Sequence, residues 1–111
     1  LCSIDYYIKS LSMLPSECIV IIFSDDTKWC FEQTIFNSDR YIISENNTPD
    51  IDLCMMSLCN YHIISNSSFS WWGAWLNPNP QKIVTAPSQW FGPNLRHNSV
   101  VDLLPQGWFW I

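Results

Sequence analysis

The segment Ser65-Asn66-Ser67-Ser68-Phe69-Ser70-Trp71-Trp72-Gly73-Ala74-Trp75-Leu76 constrains this chain more than any other. It follows Tyr61-His62-Ile63-Ile64, a short apolar run in which β-branched residues favour a buried strand. The period then changes. Phe69, Trp72 and Leu76 stand at i, i+3 and i+7, the spacing of one helical face, and predict a helix over 68–76 buried along that stripe. Ser65 to Ser68 supply small polar side chains of the kind that cap helix N-termini. The first amides of a helix have no intrahelical acceptor and carry the positive end of its dipole, so a strand–polar turn–helix junction can receive an anion. The competing reading is an ordinary Asn/Ser cap with no ligand.

The remaining pattern alternates in the same way. Ile4, Tyr7, Ile8 and Leu11 recur at helical spacing up to Pro15, and Cys18 to Phe23 is a continuous apolar run expected of a strand covered on both faces. Ser24-Asp25-Asp26-Thr27 leads into a helix from Lys28 to about Phe36; Tyr41-Ile42-Ile43 is a second strand. Asp50 or Asp52 is placed to cap a third helix through Leu53, Met56 and Cys59. Asn77-Pro78-Asn79-Pro80 ends the tryptophan-rich helix, Lys82 to Thr85 forms the last strand, and an irregular aromatic tail begins at Pro87. This alternation predicts an α/β domain: a parallel, Rossmann-like sheet with helices on both faces. Ligands of such sheets bind beyond the strand C-termini. Three polar junctions lie there, Ser24-Asp25-Asp26, Ser44-Glu45 and Ser65 to Ser68, and are expected to converge on one crevice.

Composition narrows the function. With 111 residues, 48% of them hydrophobic and 14% charged, the chain suits one folded domain. A net charge of −5 argues against nucleic acid as a partner, because phosphate-backbone binders carry basic stripes. The same charge opposes any anion globally, so local amides must do the binding. Three glycines leave no Gly-rich phosphate loop. The five cysteines form neither a Cys-x-x-Cys pair nor a zinc pattern and read as buried free thiols. No apolar run approaches the roughly 20 residues that span a bilayer.

Individual candidates carry competing roles. Asp25 and Asp26 suit hydrogen bonds from a base or ribose, or the cap of the following helix. Ser67 and Ser68 with their amides are the phosphate candidates. Asn66 formally heads a glycosylation acceptor but is expected to be buried against the helix start. His62 alternates with apolar neighbours and reads as a satisfied core histidine, while Arg96-His97 reads as a solvated pair. Trp71, Trp72 and Trp75 read mainly as core, with sugar stacking the alternative.

These motifs resemble the alpha-1,2-fucosyltransferase family. The Asn-Ser-Ser-Phe-Ser-Trp-Trp block at 66–72 is nearly identical to the family's, and Phe23-Ser24-Asp25-Asp26 with Trp29 is similar to its Phe-Ser-Asp-Asp…Trp segment. Asp52 to Cys59, Lys82-Ile83-Val84, Ala86-Pro87, Trp90-Phe91 and Leu104-Pro105…Trp108 extend the resemblance in order along almost the whole chain. It implies that residues 1–111 are the C-terminal, nucleotide-sugar-binding half of a GT-B glycosyltransferase, without the N-terminal acceptor half. The implied reaction moves L-fucose from GDP-fucose to the 2-hydroxyl of a terminal galactose, with inversion and without a metal or other cofactor. The implied donor-binding residues are Asp25, Asp26, Asn66, Ser67, Ser68 and Phe69, with Asp25 or Asp26 toward guanosine and Ser67, Ser68 and Phe69 at the diphosphate. The implied partners are GDP-fucose and a galactose-terminated glycan. The implied location is membrane-associated or cytoplasmic in a bacterium, or the Golgi membrane in a eukaryote, with any anchor outside this chain. The family's upstream His-x-Arg-Arg-x-Asp motif, which brings a phosphate-holding arginine, is absent, so the chain alone is expected to be inactive. The alternative reading is a non-catalytic carbohydrate- or nucleotide-binding module.

Overall fold

The structure is a computed structural model that describes residues 2–87 and 108–111. Ser3 caps helix α1 (Ile4–Ser12), its hydroxyl accepting from the Tyr6 amide. Strand β1 (Val20–Ile22) leads into α2 (Thr27–Glu32) and a 3-10 turn at Thr34–Phe36, so the single helix expected to reach Phe36 is broken at Gln33. Strand β2 (Tyr41–Ile43), α3 (Pro49–Met56), β3 (Tyr61–Ile63), α4 (Ser68–Trp75) and β4 (Ile83–Ala86) follow, and β5 (Trp108–Trp110) ends the order.

Every strand pairing is parallel, so the α/β, Rossmann-like class read from the alternation is the one formed. Among the described residues the hydrogen bonds divide the strands into two sheets, β1–β2 and β3–β4–β5. Val20 stands opposite Tyr41, Tyr61 opposite Ile83, and Val84 opposite Trp108. The final pairing corrects the expectation of an irregular tail over 108–110. Trp-Phe-Trp has strong β preference, but its partner lies more than twenty residues away and no local signal reveals it.

Two further expectations are corrected by burial. The run Cys18 to Phe23 is covered on one face only: Ile19 and Ile21 are exposed while Val20 and Ile22 are partly buried, and Ile42, opposite Ile21, is exposed as well. Helix α4 turns the other way from its predicted stripe. Phe69, Trp72 and Leu76 are exposed, Trp72 at 50%, while Gly73, Ala74 and Asn77 are buried. With partly buried Ser70 these stand at i, i+3, i+4 and i+7, so the face of small side chains meets the protein. Ala74 thereby joins Ile64, Val84, Ala86 and Trp108 in the core, with Trp71 and Trp110 packed against it. Trp71 stacks on Trp75 at 5.3 Å between ring centres and lies 5.8 Å from Trp108. Of the three α4 tryptophans expected in the core, only Trp71 packs there; Trp72 and Trp75 are half exposed.

Small side chains also let α4 approach α3. A Cβ added at Gly73 would stand 2.9 Å from Met56 Cβ, closer than side chains tolerate. The loop after α4 is tied to β3 by a buried polar cluster. The Asn77 side-chain amide donates to the Cys59 carbonyl and to His62 Nε2 at 2.8 Å, while its Oδ1 accepts from the Asn79 amide at 3.0 Å. His62 is therefore neutral with its proton on Nδ1, the satisfied core histidine expected from its strand position. Lys82 Nζ donates to the Asn77 carbonyl at 2.7 Å. Burial, helped by the Lys82 charge, lowers the His62 pKa to about 4.

Gly73→Ala gains helix propensity but must displace Met56, and the net loss expected in a denaturant melt is about 1–3 kcal/mol. Since the folded His62 pKa lies below its unfolded value of about 6.5, the unfolded state binds the extra proton. Stability is whole above pH 6.5 and falls progressively as the pH drops toward 4. Melting temperatures of His62→Leu should be lower at pH 7, where Asn77 loses an acceptor, yet fall less steeply than wild type between pH 6.5 and 5.

Candidate functional site

The residues that begin α4 lie just past the C-terminal end of β3, where ligands of parallel sheets bind. Ser67 is the N-cap: its hydroxyl accepts from the Ser70 amide at 3.2 Å and meets Ser70 Oγ at 2.8 Å. Ser70 Oγ also approaches the carbonyls of Ser65 and Ser67, at 3.2 and 3.0 Å. The serines thus fold the turn onto itself. The amides of Ser68 and Phe69 are left without a partner among the described residues, and Ser67, Ser68 and Phe69 are all exposed. Two free N–H groups at a helix start, open to solvent, are what a phosphate oxygen requires.

Asn66 is exposed, not buried against the helix as expected. The tight serine bonding of the turn turns its side chain outward, where its Oδ1 accepts a long contact, 4.0 Å, from Cys2 Sγ.

At the end of β1 the two aspartates separate. Asp26 takes the capping role: its Oδ1 accepts from the Trp29 amide at 3.0 Å, and its own amide donates to Ser24 Oγ at 3.0 Å. Asp25 is exposed and makes no hydrogen bond among the described residues, so its carboxylate is the one available to a ligand. No hydrogen bond joins this turn directly to Ser65–Ser68 among the described residues. Burial foremost, then the Cys2 and Cys30 thiols, pushes the Tyr7 hydroxyl pKa upward. Burial likewise raises the Cys30 thiol.

The third junction has a structural use. Ser44 Oγ donates to Asp52 Oδ1 at 3.0 Å and accepts from the Asn47 side chain at 2.9 Å. Neither Asp50 nor Asp52 is the cap of α3; Thr48 holds that position, with Pro49 opening the helix and both aspartates in its first turn. The hydrogen bond from Thr48 lowers the Asp50 pKa.

The thiols depart from expectation too. All five are free, but only Cys30 is buried, and Cys54 is exposed on α3, a helix with no fully buried residue. Among the described residues no three His, Cys, Asp or Glu side chains gather to hold a metal ion, and no helix is long and apolar enough to cross a membrane. Arg96, His97, Trp90, Phe91, Leu104 and Pro105 lie outside the described residues. Sequence reasoning missed two residues of the turn's surroundings, Ser70 and Tyr6. Ser70 had a signal, since it stands three residues after the cap, where an N-cap hydroxyl finds its amide.

A family model described as glycosyl transferase family 11 matches residues 1–109. An O-antigen biosynthesis glycosyltransferase, WbnK, of Escherichia coli is 40% identical over 104 residues, which are 88% of this chain and 34% of that protein. An alpha-1,2-colitosyltransferase of Escherichia coli is 44% identical over 97 residues, 82% of this chain and 33% of that protein. The chain spans about a third of the length of these curated relatives. No solved structure matches it. Because the family model matches residues 1–109, the serine turn among them, the chain belongs to glycosyl transferase family 11.

Proposed function

We propose that this chain is the donor-binding part of a galactoside alpha-1,2-fucosyltransferase, moving L-fucose from GDP-fucose to the 2-hydroxyl of a terminal galactose. The observation that carries the reading is the pair of unengaged amides of two exposed residues, Ser68 and Phe69, at the start of α4 just past β3. Family membership supports glycosyl transfer, and one relative, the alpha-1,2-colitosyltransferase, is named for the same alpha-1,2 linkage.

In this reading the galactose 2-hydroxyl oxygen attacks fucose C1 as the bond from C1 to the diphosphate oxygen breaks. The electron pair leaves with GDP, the hydroxyl proton passes to a base, and C1 inverts. The chain's part is to hold the leaving group. N–H donors already aimed at the diphosphate stabilise the charge that grows there without reorganising, and no metal is required. The Ser67 hydroxyl is engaged within the turn, so its role is to shape the cap, while the Ser68 hydroxyl and the two amides face the donor. Asp25 faces guanosine; Asp26 holds the start of α2. With a net charge of −5, affinity depends on these local donors.

One observation favours a second reading. Trp72 and Trp75 are half exposed, as aromatic platforms for carbohydrate would be, which suits a non-catalytic sugar-binding module. Saturable lactose binding with no response to GDP would select it.

Ser68 and Asp25 are both exposed, so their loss should not disturb folding. Ser68→Ala combined with Asp25→Ala is expected to raise the Kd for GDP about tenfold, a loss of about 1.4 kcal/mol, in a calorimetric titration of the full-length protein. Unchanged affinity removes the site assignment. Competition between GDP-fucose and other GDP-sugars in the same titration identifies the donor.

A further inference from the structure

Tyr6 sits in α1 with 7% of its surface exposed, and its hydroxyl lies 2.5 Å from the Ile64 carbonyl oxygen and 3.0 Å from that of Thr85. Ile64 is the residue between β3 and the serine turn. Its amide donates to the Thr85 carbonyl at 3.0 Å, extending the β3–β4 pairing by one bond. Its carbonyl, buried with a residue that is 3% exposed, finds its donor in Tyr6, 58 positions earlier in the chain. Ile64 is thus held by its N–H to β4 and by its C=O to α1, one peptide before Ser65. At the far side of the turn, Ser70 and Ser67 hold each other. The amides of Ser68 and Phe69 therefore hang on a segment clamped at both ends, and Tyr6 is the clamp that comes from outside it.

We propose that Tyr6 is a positioning residue for nucleotide-diphosphate binding: its hydroxyl fixes the Ile64 carbonyl and so aims the Ser68 and Phe69 amides. The role rests on the reading of those amides as the diphosphate site. Phenylalanine keeps the ring and removes only the hydroxyl. The Ile64 carbonyl then loses its donor, and the peptide plane leading into the turn is free to rotate. Local opening at the turn rises while the distant β1–β2 pairing is untouched.

The experiment compares wild type and Tyr6→Phe in the full-length protein, with GDP as the probe. The variant is expected to raise the Kd for GDP three- to tenfold. Without ligand, exchange of the bonded amides that flank the turn, Ile64 and Ser70, should quicken about tenfold while Val20 and Ser44 exchange as in wild type. If wild type binds GDP and the variant binds it equally well, the positioning role is overturned while the site stands. If exchange quickens equally at Val20 and Ser44, Tyr6 is only a structural support and the role is again overturned. Failure of wild type to bind GDP removes the diphosphate reading itself, and the positioning role with it. Should the variant not fold, wild type decides: the 13C resonance of Tyr6 Cζ must move when GDP binds, and a resonance that stays put overturns the proposal.

Discussion

The parallel pairing of β3 with β4 is the interaction on which the other features depend. It sets Ile63 beside Thr85, extends through the Ile64 amide to the Thr85 carbonyl, and places the chain's exit from β3 where α1 reaches it. Parallel strands need a crossover, and α4 is that crossover. Its start must then lie at the C-terminal edge of the sheet, with its free amides facing outward. The site's position is a consequence of topology, and its chemistry a consequence of the serines that stand there.

Close approach of α4 shapes the rest. Ala74 is fully buried against Val84 and Ala86, and Gly73 leaves room for Met56 of α3. Tight contact gains dispersion energy over many atom pairs, so a helix face of small residues can win over a face of aromatic ones when the opposing surface is flat. The large rings are displaced to the flank and outside: Trp71 bridges to Trp108, and Phe69, Trp72 and Leu76 remain exposed. Polar groups caught beneath the helix end are satisfied by one another, Asn77 serving His62, Cys59 and Asn79 together. A neutral His62 is the result, since burial foremost, then the Lys82 charge, disfavours the protonated ring, and Nε2 already accepts from Asn77.

Much of this was legible in the residue order. The strand–turn–helix junction, the parallel α/β class, the cap chemistry of Ser67 and the core role of His62 all depend on neighbours within a few positions. Local propensity and hydrogen bonding act at that range. The site candidates were partly separable in the same way: Asp26 and Asp25 carry the same charge and differ by one position, and only the bond to the Trp29 amide shows which of them is engaged. The stripe of α4 misled because hydrophobicity ranks tryptophan above alanine, whereas burial here depends on how closely two surfaces approach.

By itself, then, the sequence determined the alternation of strands and helices and the serine cap at the start of α4. Tertiary structure alone decided which face of α4 is buried, that Trp108 to Trp110 pairs with β4, and that Tyr6 grips the carbonyl of Ile64. The physical reason is range. Caps and turns are settled between atoms a few bonds apart, while packing and long-distance hydrogen bonds depend on surfaces that meet only after the chain has folded.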